Sequence, residues 1–109
     1  MLPHVSNEPV CLQEKGRNFI DMLGRAHVLD LLYFMLTTEK PVRFNEIKRQ
    51  IGITATTLSK RLEELQAQNL VDREVFPEVP ARVEYSLSRE GKTLAPVLES
   101  IFSWVEKRN

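Results

Sequence analysis

Residues 43–65 read RFNEIKRQIGITATTLSKRLEEL. Gly52 interrupts this stretch, and Thr54 follows as a residue type that commonly caps the start of a helix. The apolar residues before the glycine have helical spacing, which predicts a short helix over Arg43–Gln50. A second helix is predicted to begin after Thr54. The stretch therefore predicts a helix, a tight turn and another helix.

The second predicted helix has an apolar face and a polar face. Leu58, Leu62 and Leu65 recur at i, i+4 and i+7, and Ala55 falls on the same side. The outward positions are occupied by Thr56, Thr57, Ser59 and Lys60. Hydroxyls and a lysine on such a face are either ordinary solvated side chains or contacts to DNA phosphates and base edges. The position of this helix between a tight turn and a hairpin favours DNA contact.

Two helices are predicted to precede this motif. The first begins near Gln13 and ends at Gly24, because glycine tolerates the left-handed conformation that often follows a helix. The second covers residues 28–36, the most apolar segment of the chain, and is expected to run through the centre of the core. Pro41 and the two threonines before it mark its end.

A hairpin is predicted to follow the motif. After Asn69 the apolar period changes from helical to two, which predicts strands over residues 71–76 and 83–87. The connection Pro77–Ala81 contains two prolines and is longer than a two-residue turn, so a protruding and stiff tip is expected.

Ser88 is predicted to cap a final helix, with a soft start at Gly91 and a kink at Pro96. This helix carries more apolar surface than one small domain is expected to cover, which predicts dimerisation through the terminal helices. The candidate interface residues are Phe19, Leu94, Leu98, Ile101, Phe102, Trp104 and Val105. The alternative is that the helix packs only on its own core. A two-fold dimer would place two recognition helices about one DNA turn apart, on a palindromic site.

The charge of the chain is zero overall but unevenly distributed. Residues 43–61 contain five cationic side chains and one acid, whereas residues 62–87 contain two arginines and six acids. A DNA duplex responds to local charge, so the basic segment is compatible with phosphate binding although the average is neutral.

Length and composition predict one domain in a soluble chain. The 109 residues are 42% apolar, enough for a single modest core. We expect a flexible arm over residues 1–12 and one domain over 13–109. No run approaches the roughly 18 apolar residues of a membrane helix, and no signal peptide is evident, so a cytoplasmic protein is expected.

Neither an enzyme nor a metal or cofactor site is predicted. His4, His27 and Cys11 are the only soft ligands, and they have no zinc-like spacing. The sequence contains no glycine-rich phosphate loop and no nucleophile elbow. A single cysteine cannot form an intrachain disulfide, which fits a reducing compartment.

The sequence resembles the HxlR family of bacterial and archaeal regulators over roughly residues 19 to 104. The resemblance rests on RFNEI (residues 43–47), TLSKRLEEL (57–65), LVDR (70–73) and FPEVPARVEYSL (76–87). It implies a MarR-like winged helix-turn-helix protein, mainly α with a β-hairpin wing (α+β), that represses or activates transcription as a dimer. The helix beginning at Thr54 is then expected in the major groove, with the wing beside it.

The candidate DNA-binding residues lie on the two motif helices and the hairpin. They are Arg43, Asn45, Lys48, Arg49, Thr54, Thr56, Thr57, Ser59, Lys60, Arg61 and Arg82. Two of them have alternatives that the sequence leaves open. Arg61 contacts either a phosphate or an acid such as Glu64 or Glu84, and Arg82 enters a minor groove or pairs with a glutamate across the hairpin.

The N-terminal end departs from the family. The usual Cys-Pro pair is Cys11-Leu12 here, and GRAH (residues 24–27) replaces a motif that normally ends in tryptophan. The resemblance makes Cys11 a candidate redox sensor, although only Lys15 and Arg17 offer positive charge nearby, and an inert thiol is the alternative. A small-molecule effector also remains open, and so does a winged helix that binds only proteins.

Overall fold

The computed structural model describes residues 8–108, except for the side chain of Lys15. Its elements are a 3-10 turn Val10–Leu12, α1 Glu14–Leu23, α2 Val28–Thr38, β1 Val42–Arg43, α3 Phe44–Ile51, α4 Ala55–Ala67, β2 Val71–Phe76, β3 Arg82–Leu87, α5 Arg89–Lys92 and α6 Ala95–Glu106. This order is the winged helix-turn-helix arrangement that the sequence predicts. We call β2, β3 and their connection the wing.

Helix α2 forms the centre of the core, as its apolar sequence predicts. Leu31 and Leu32 are fully buried, and Val28 and Met35 are buried one turn to either side. The helix contacts α1, α3, α6 and β3. Burying each such leucine contributes roughly 1.5–3 kcal/mol. Helix α2 therefore joins the helix-turn-helix to the terminal helix through one continuous core.

The small sheet has the strand order β1–β3–β2, and both pairs of neighbours are antiparallel. The wing pairs from Val71 opposite Leu87 to Phe76 opposite Arg82, which confirms the predicted hairpin. Its base is buried at Val71 and Leu87, while most of β2 is exposed. The wing therefore projects from the core.

The sequence analysis did not predict strand β1. In this strand Val42 pairs with Tyr85, and Arg43 pairs with Glu84. Arg43 accordingly has an extended backbone, with φ −88° and ψ 155°, and precedes α3 as its N-cap. The predicted helix start at Arg43 is therefore wrong by one residue. A two-residue strand that pairs with a distant segment has no local periodicity from which it could be found.

The ends of the first helices differ from expectation. Gly24 ends α1 in a right-handed conformation with φ −81°, so the left-handed cap predicted there is wrong. Around α2 the left-handed conformation occurs instead at His27, which precedes the helix, and at Glu39, which follows it, with φ of 71° and 61°. Gly52 has φ 76° and ends α3, as predicted. The position of both ends is nevertheless as predicted, because α1 stops at Gly24 and α2 starts at Val28.

Helix α4 has the predicted buried stripe. Leu58, Leu62 and Leu65 are 0–1% exposed and face the core. Ala55 is exposed, so its predicted place on this stripe is wrong. It stands in the first turn, where Thr54 and Thr56 on either side are also exposed.

The predicted final helix is divided into two. The side chain of Ser88 accepts a hydrogen bond from the backbone N–H of Gly91 at 2.9 Å, which confirms the predicted cap of α5. A Cβ on Gly91 would stand 2.1 Å from the carbonyl oxygen of Leu70, so this close approach requires glycine. Pro96 occupies the first turn of α6, where its missing N–H has no helical partner to lose.

The predicted flexible arm falls largely on residues 1–7, which lie outside the described residues. Val10–Leu12 form a 3-10 turn that contacts α1. No helix within residues 8–108 has the length and apolarity needed to cross a membrane.

Candidate nucleic-acid interface

The start of α4 is held by its N-cap. The Thr54 Oγ1 accepts a hydrogen bond from the backbone N–H of Thr57 at 3.2 Å, and the two threonine hydroxyls are hydrogen-bonded at 3.0 Å. These hydroxyls therefore serve first to order the turn. Such a cap contributes about 1 kcal/mol to helix stability.

The outward face of α4 is free of the core. Thr56, Ser59 and Lys60 are exposed, and Thr57 is half-buried. Within the described part of the chain, no ion pair or hydrogen bond occupies the side chain of Lys60. This face presents two hydroxyls and an ammonium group to solvent, which are groups that bind phosphates and base edges.

Strand β1 and helix α3 add a second set of polar side chains, three of them cationic. Arg43, Asn45, Lys48 and Arg49 are all exposed. Among residues 8–108, the three cations of this set form no salt bridge. These three cations are therefore not held by direct ion pairs with the acids of the described residues.

The structure brings the beginning of α3 close to the wing. Arg43, Asn45 and Arg49 line an open cleft of about 540 Å³, and Ala81 and Arg82 form its other side. The pairing of β1 with β3 places Arg43 opposite Glu84 and so creates this neighbourhood. Residues that are far apart in the sequence thus border one surface.

Arg82 is engaged within the wing. Its guanidinium forms ion pairs with Glu78, at 2.7 Å, and with Glu84, at 2.9 Å. The same group lies 3.8 Å from the centre of the Phe76 ring, in cation–π contact. Of the two alternatives for Arg82, the free structure therefore contains the pairing with glutamates. A nucleic acid would have to compete with these acids for the arginine.

Of its two alternatives, a phosphate or an acid of the same chain, Arg61 also forms the contact within the chain. Its Nε donates a hydrogen bond to the carbonyl oxygen of Ala26 at 2.9 Å, and its Nη1 lies 3.0 Å from the Glu64 carboxylate. Arg25 pairs with the other oxygen of Glu64. Arg61 is therefore turned toward the loop between α1 and α2, and we leave it out of the interface.

The sequence analysis did not predict that Glu64 links α4 to another part of the chain. Glu64 with Arg25 and Arg61, which we call the Glu64 fork, connects α4 to the loop that precedes α2. The i, i+3 spacing of Arg61 and Glu64 indicates one of the two ion pairs in the Glu64 fork. Nothing local indicates the contribution of Arg25, which is distant in the sequence.

The predicted dimer residues divide into two groups. Leu98 is 2% exposed and belongs to the core of the single chain, so its prediction as an interface residue is wrong. Phe19 and Leu94 are half-buried against the same core, and the Phe102 ring stacks on Tyr33 with centroids 4.0 Å apart.

The other predicted residues form an exposed apolar face on α6. Ile101, Trp104 and Val105 are 38%, 61% and 51% exposed, and Val97, which the sequence analysis missed, is 53% exposed. Further exposed apolar side chains precede or belong to α1, namely Val10, Leu12 and Ile20. We call Val97, Ile101, Trp104 and Val105 the α6 face.

Cys11 is half-buried in the 3-10 turn before α1. Arg17, one of the two cations that the sequence offers to this thiol, pairs with Asp21 at 3.4 Å. The other is Lys15, whose side chain lies outside the described residues. A sensing role for Cys11 stays a prediction.

The fold described above agrees with a comparison of the chain with known protein families. The family model described as HxlR-like helix-turn-helix matches residues 22–109. The chain belongs to this HxlR-like family. The relatives described next are named as HTH-type transcriptional regulators.

Individual relatives of this HxlR-like chain agree with the assignment. It is 48% identical over 75 residues to an uncharacterized HTH-type transcriptional regulator, BH0655, from Halalkalibacterium halodurans; the match covers 68% of the chain and 66% of the relative, just under two thirds of that protein. It is 38% identical over 86 residues to the uncharacterized HTH-type transcriptional regulator YvaP of Bacillus subtilis, covering 78% of each. The oxidized form of the redox regulator HypR superposes with a TM-score of 0.76 at 36% identity, covering 85% of this chain and 95% of HypR.

Proposed function

We propose that this HxlR-like chain regulates transcription in the cytoplasm as a homodimer that binds a specific double-stranded DNA site. In this proposal α4 enters the major groove and reads it through Thr56, Ser59 and Lys60. The wing lies on the flanking backbone or in the minor groove. The site is palindromic because a two-fold dimer presents two equal copies of α4.

The observation that carries the proposal is the set of exposed cations on β1, α3 and α4 that form no ion pair within residues 8–108. Arg43, Lys48, Arg49 and Lys60 are exposed, and none of them forms an ion pair with an acid of the described residues. Such cations bind phosphates by releasing condensed counterions. A face that binds only proteins is expected to carry an exposed apolar patch, whereas the exposed side chains of α3 and α4 are polar or charged except for the small Ala55 and Ala67.

The homodimer is supported by the α6 face. Among the described residues, no helix or strand covers its four apolar side chains, and Trp104 is 61% exposed although the Arg108 guanidinium lies 4.7 Å from its ring centre. Aromatic and aliphatic residues left in water on one helix face are typical of an interface between chains.

The redox-sensing hypothesis for Cys11 is not part of this proposal, and diamide treatment followed by DNA titration of wild type and Cys11→Ser would address it.

The test is a DNA titration followed by fluorescence anisotropy across a salt series, with a duplex selected from a random pool and an unselected duplex. We expect the wild type to prefer the selected duplex and its affinity to fall steeply with salt. Lys60→Ala is expected to weaken binding to the selected duplex by about 1–3 kcal/mol if Lys60 reads a base. If Lys60 contacts only phosphate, affinity falls on all duplexes and the salt slope decreases by about one.

Lys92→Ala is the matched control, because Lys92 is an exposed lysine on α5, outside the helix-turn-helix. It removes the same charge and is expected to leave the affinity for DNA nearly unchanged. Equal losses in the two variants would show that only total charge matters and would contradict a reading role for Lys60. No binding at low salt would favour a winged helix that binds proteins.

A further inference from the structure

An open cleft lies between α4 and the wing. Its volume is about 350 Å³. The lining residues come from α4, β2 and β3, and they are Ser59, Leu62, Glu63, Gln66, Arg73 and Tyr85. Of these, the sequence analysis named only Ser59 as a candidate for binding DNA. The cleft therefore contains an arginine and a tyrosine to which no role has been assigned.

Arg73 lies on the face of the wing that is turned toward α4. It pairs with Tyr85 across the hairpin, and paired residues of an antiparallel sheet project from the same face. Tyr85 and Val71, which precedes Arg73 by two residues on this face, are both buried, whereas Arg73 is exposed. Among residues 8–108 its guanidinium forms no ion pair and no hydrogen bond. Arg73 thus offers its charge to a group that enters the cleft.

Two hydroxyl groups accompany this guanidinium. Ser59 is exposed on α4, and Tyr85 is only 8% exposed. Neither hydroxyl has a hydrogen-bond partner within the described residues, although hydroxyls as deeply placed as that of Tyr85 usually have one. Glu63 is the one acid among the lining residues, and it does not pair with Arg73. A guanidinium with two hydroxyls suits the oxygens of a phosphate.

The cleft also lies where a strand of DNA has to pass when α4 occupies the major groove. In B-form DNA a sugar-phosphate strand separates each major groove from the neighbouring minor groove. A helix in the major groove and a wing on the flanking backbone or in the minor groove therefore have that strand between them. The opening between α4 and the wing faces this strand.

We propose that the cleft binds one phosphate of the DNA backbone and that Arg73 is its main ligand. The inference rests on the proposed function and refines it. The guanidinium of Arg73 and the hydroxyls of Ser59 and Tyr85 donate hydrogen bonds to the phosphate oxygens. Ser59 then positions α4 on the backbone, which leaves the reading of bases to Thr56 and Lys60. The contact carries no sequence information, and it fixes the distance between the wing and α4 on the duplex.

The experiment is an anisotropy titration of the full chain with the selected and the unselected duplex across a salt series. We expect Arg73→Ala to weaken binding to both duplexes by the same factor, about tenfold, as for the loss of one charge-assisted hydrogen bond. The salt slope is expected to decrease by about one. Arg89→Ala is the matched control, because Arg89 is an exposed arginine of α5 without an ion pair in residues 8–108, and it is expected to behave like the wild type.

A methylphosphonate scan of the selected duplex identifies the phosphate itself. Replacing single phosphates by the uncharged methylphosphonate is expected to weaken wild-type binding at one position in each half-site, between the major groove and the flanking minor groove. At that position Arg73→Ala is expected to lose no further affinity, because the contact is already absent. Tyr85→Phe keeps the ring in the core and is expected to reduce the effect of the same replacement.

Arg73→Lys separates loss of charge from loss of folding, since it is expected to keep most of the salt slope. The inference is overturned, while the proposed function stands, when Arg73→Ala binds like Arg89→Ala or when its loss adds to that of every methylphosphonate. A loss confined to the selected duplex would assign Arg73 to a base and would also overturn it. A wild type that binds neither duplex at low salt overturns this inference together with the proposed function.

Discussion

At the scale of a residue, Arg82 is a cation of the wing whose guanidinium is held by contacts within the free chain. Glu78 and Glu84 accept its guanidinium, and Phe76 lies beneath it. Glu84 also stands directly opposite Glu74 on the neighbouring strand, a like-charge pair that Arg82 offsets. Arg82 therefore stabilises the wing in the free chain and reaches a phosphate only by leaving an acid.

We predict that Glu78→Gln strengthens DNA binding by about 0.2–1 kcal/mol, because it frees Arg82 from an exposed ion pair. The gain is expected to disappear when Arg82→Ala is also present, and anisotropy titrations of the single and double variants measure this coupling. Glu74→Gln is the control, since it removes the same charge from the same wing without touching Arg82. A gain that persists without Arg82, or that Glu74→Gln equals, would mean that general repulsion is responsible.

At the scale of elements, the Glu64 fork sets the position of α4 relative to α2. Glu64 and Arg61 have side chains that are 19% and 15% exposed, and Arg25 reaches the same carboxylate from the loop. Arg61 also holds the loop directly, through the carbonyl of Ala26. Helix α4 is thus connected by two ion pairs and one hydrogen bond to the loop that joins α1 and α2.

We predict that Glu64→Gln lowers the free energy of unfolding by about 1–3 kcal/mol, because two arginines lose a charged, partly buried acceptor. Glu63→Gln is the matched control: the neighbouring residue of the same helix is exposed and forms no ion pair within the described residues. Urea unfolding followed by circular dichroism compares the two variants. Equal stabilities would show that the fork contributes nothing beyond its surface charges.

At the scale of the whole molecule, α6 has one side buried in the core and one side exposed to solvent. Leu98 faces inward and belongs to the core around α2, whereas Ile101 and Trp104 face outward. Truncating the inner residue and charging an outer one therefore separate folding from association.

We predict that Leu98→Ala costs about 2–5 kcal/mol of unfolding free energy, as expected for a cavity in a core. Ile101→Asp is expected instead to shift the protein toward monomer in sedimentation equilibrium, while the monomer remains folded. Val75→Asp is the control, because Val75 is 51% exposed on the wing, away from α6. A dimer that survives Ile101→Asp would contradict an interface on the α6 face.

Local chemistry was sufficient to predict most elements of this fold. Gly52 and Thr54 mark the turn and the cap between α3 and α4, and both have the conformations that their residue types favour. The alternation after Asn69 predicted the wing because strand periodicity depends only on neighbouring residues. The sequence resemblance also predicted the family that the comparison shows.

The tertiary structure decided what depends on distant neighbours. It paired Arg43 with Glu84 to make β1, placed Leu98 in the core rather than on a partner, and satisfied Arg61 and Arg82 with acids of the same chain. Amino-acid type and spacing determine which side chains face one way along an element. Which groups meet across elements is determined by packing, since a buried or paired side chain is recognised only once its partner has a position in space.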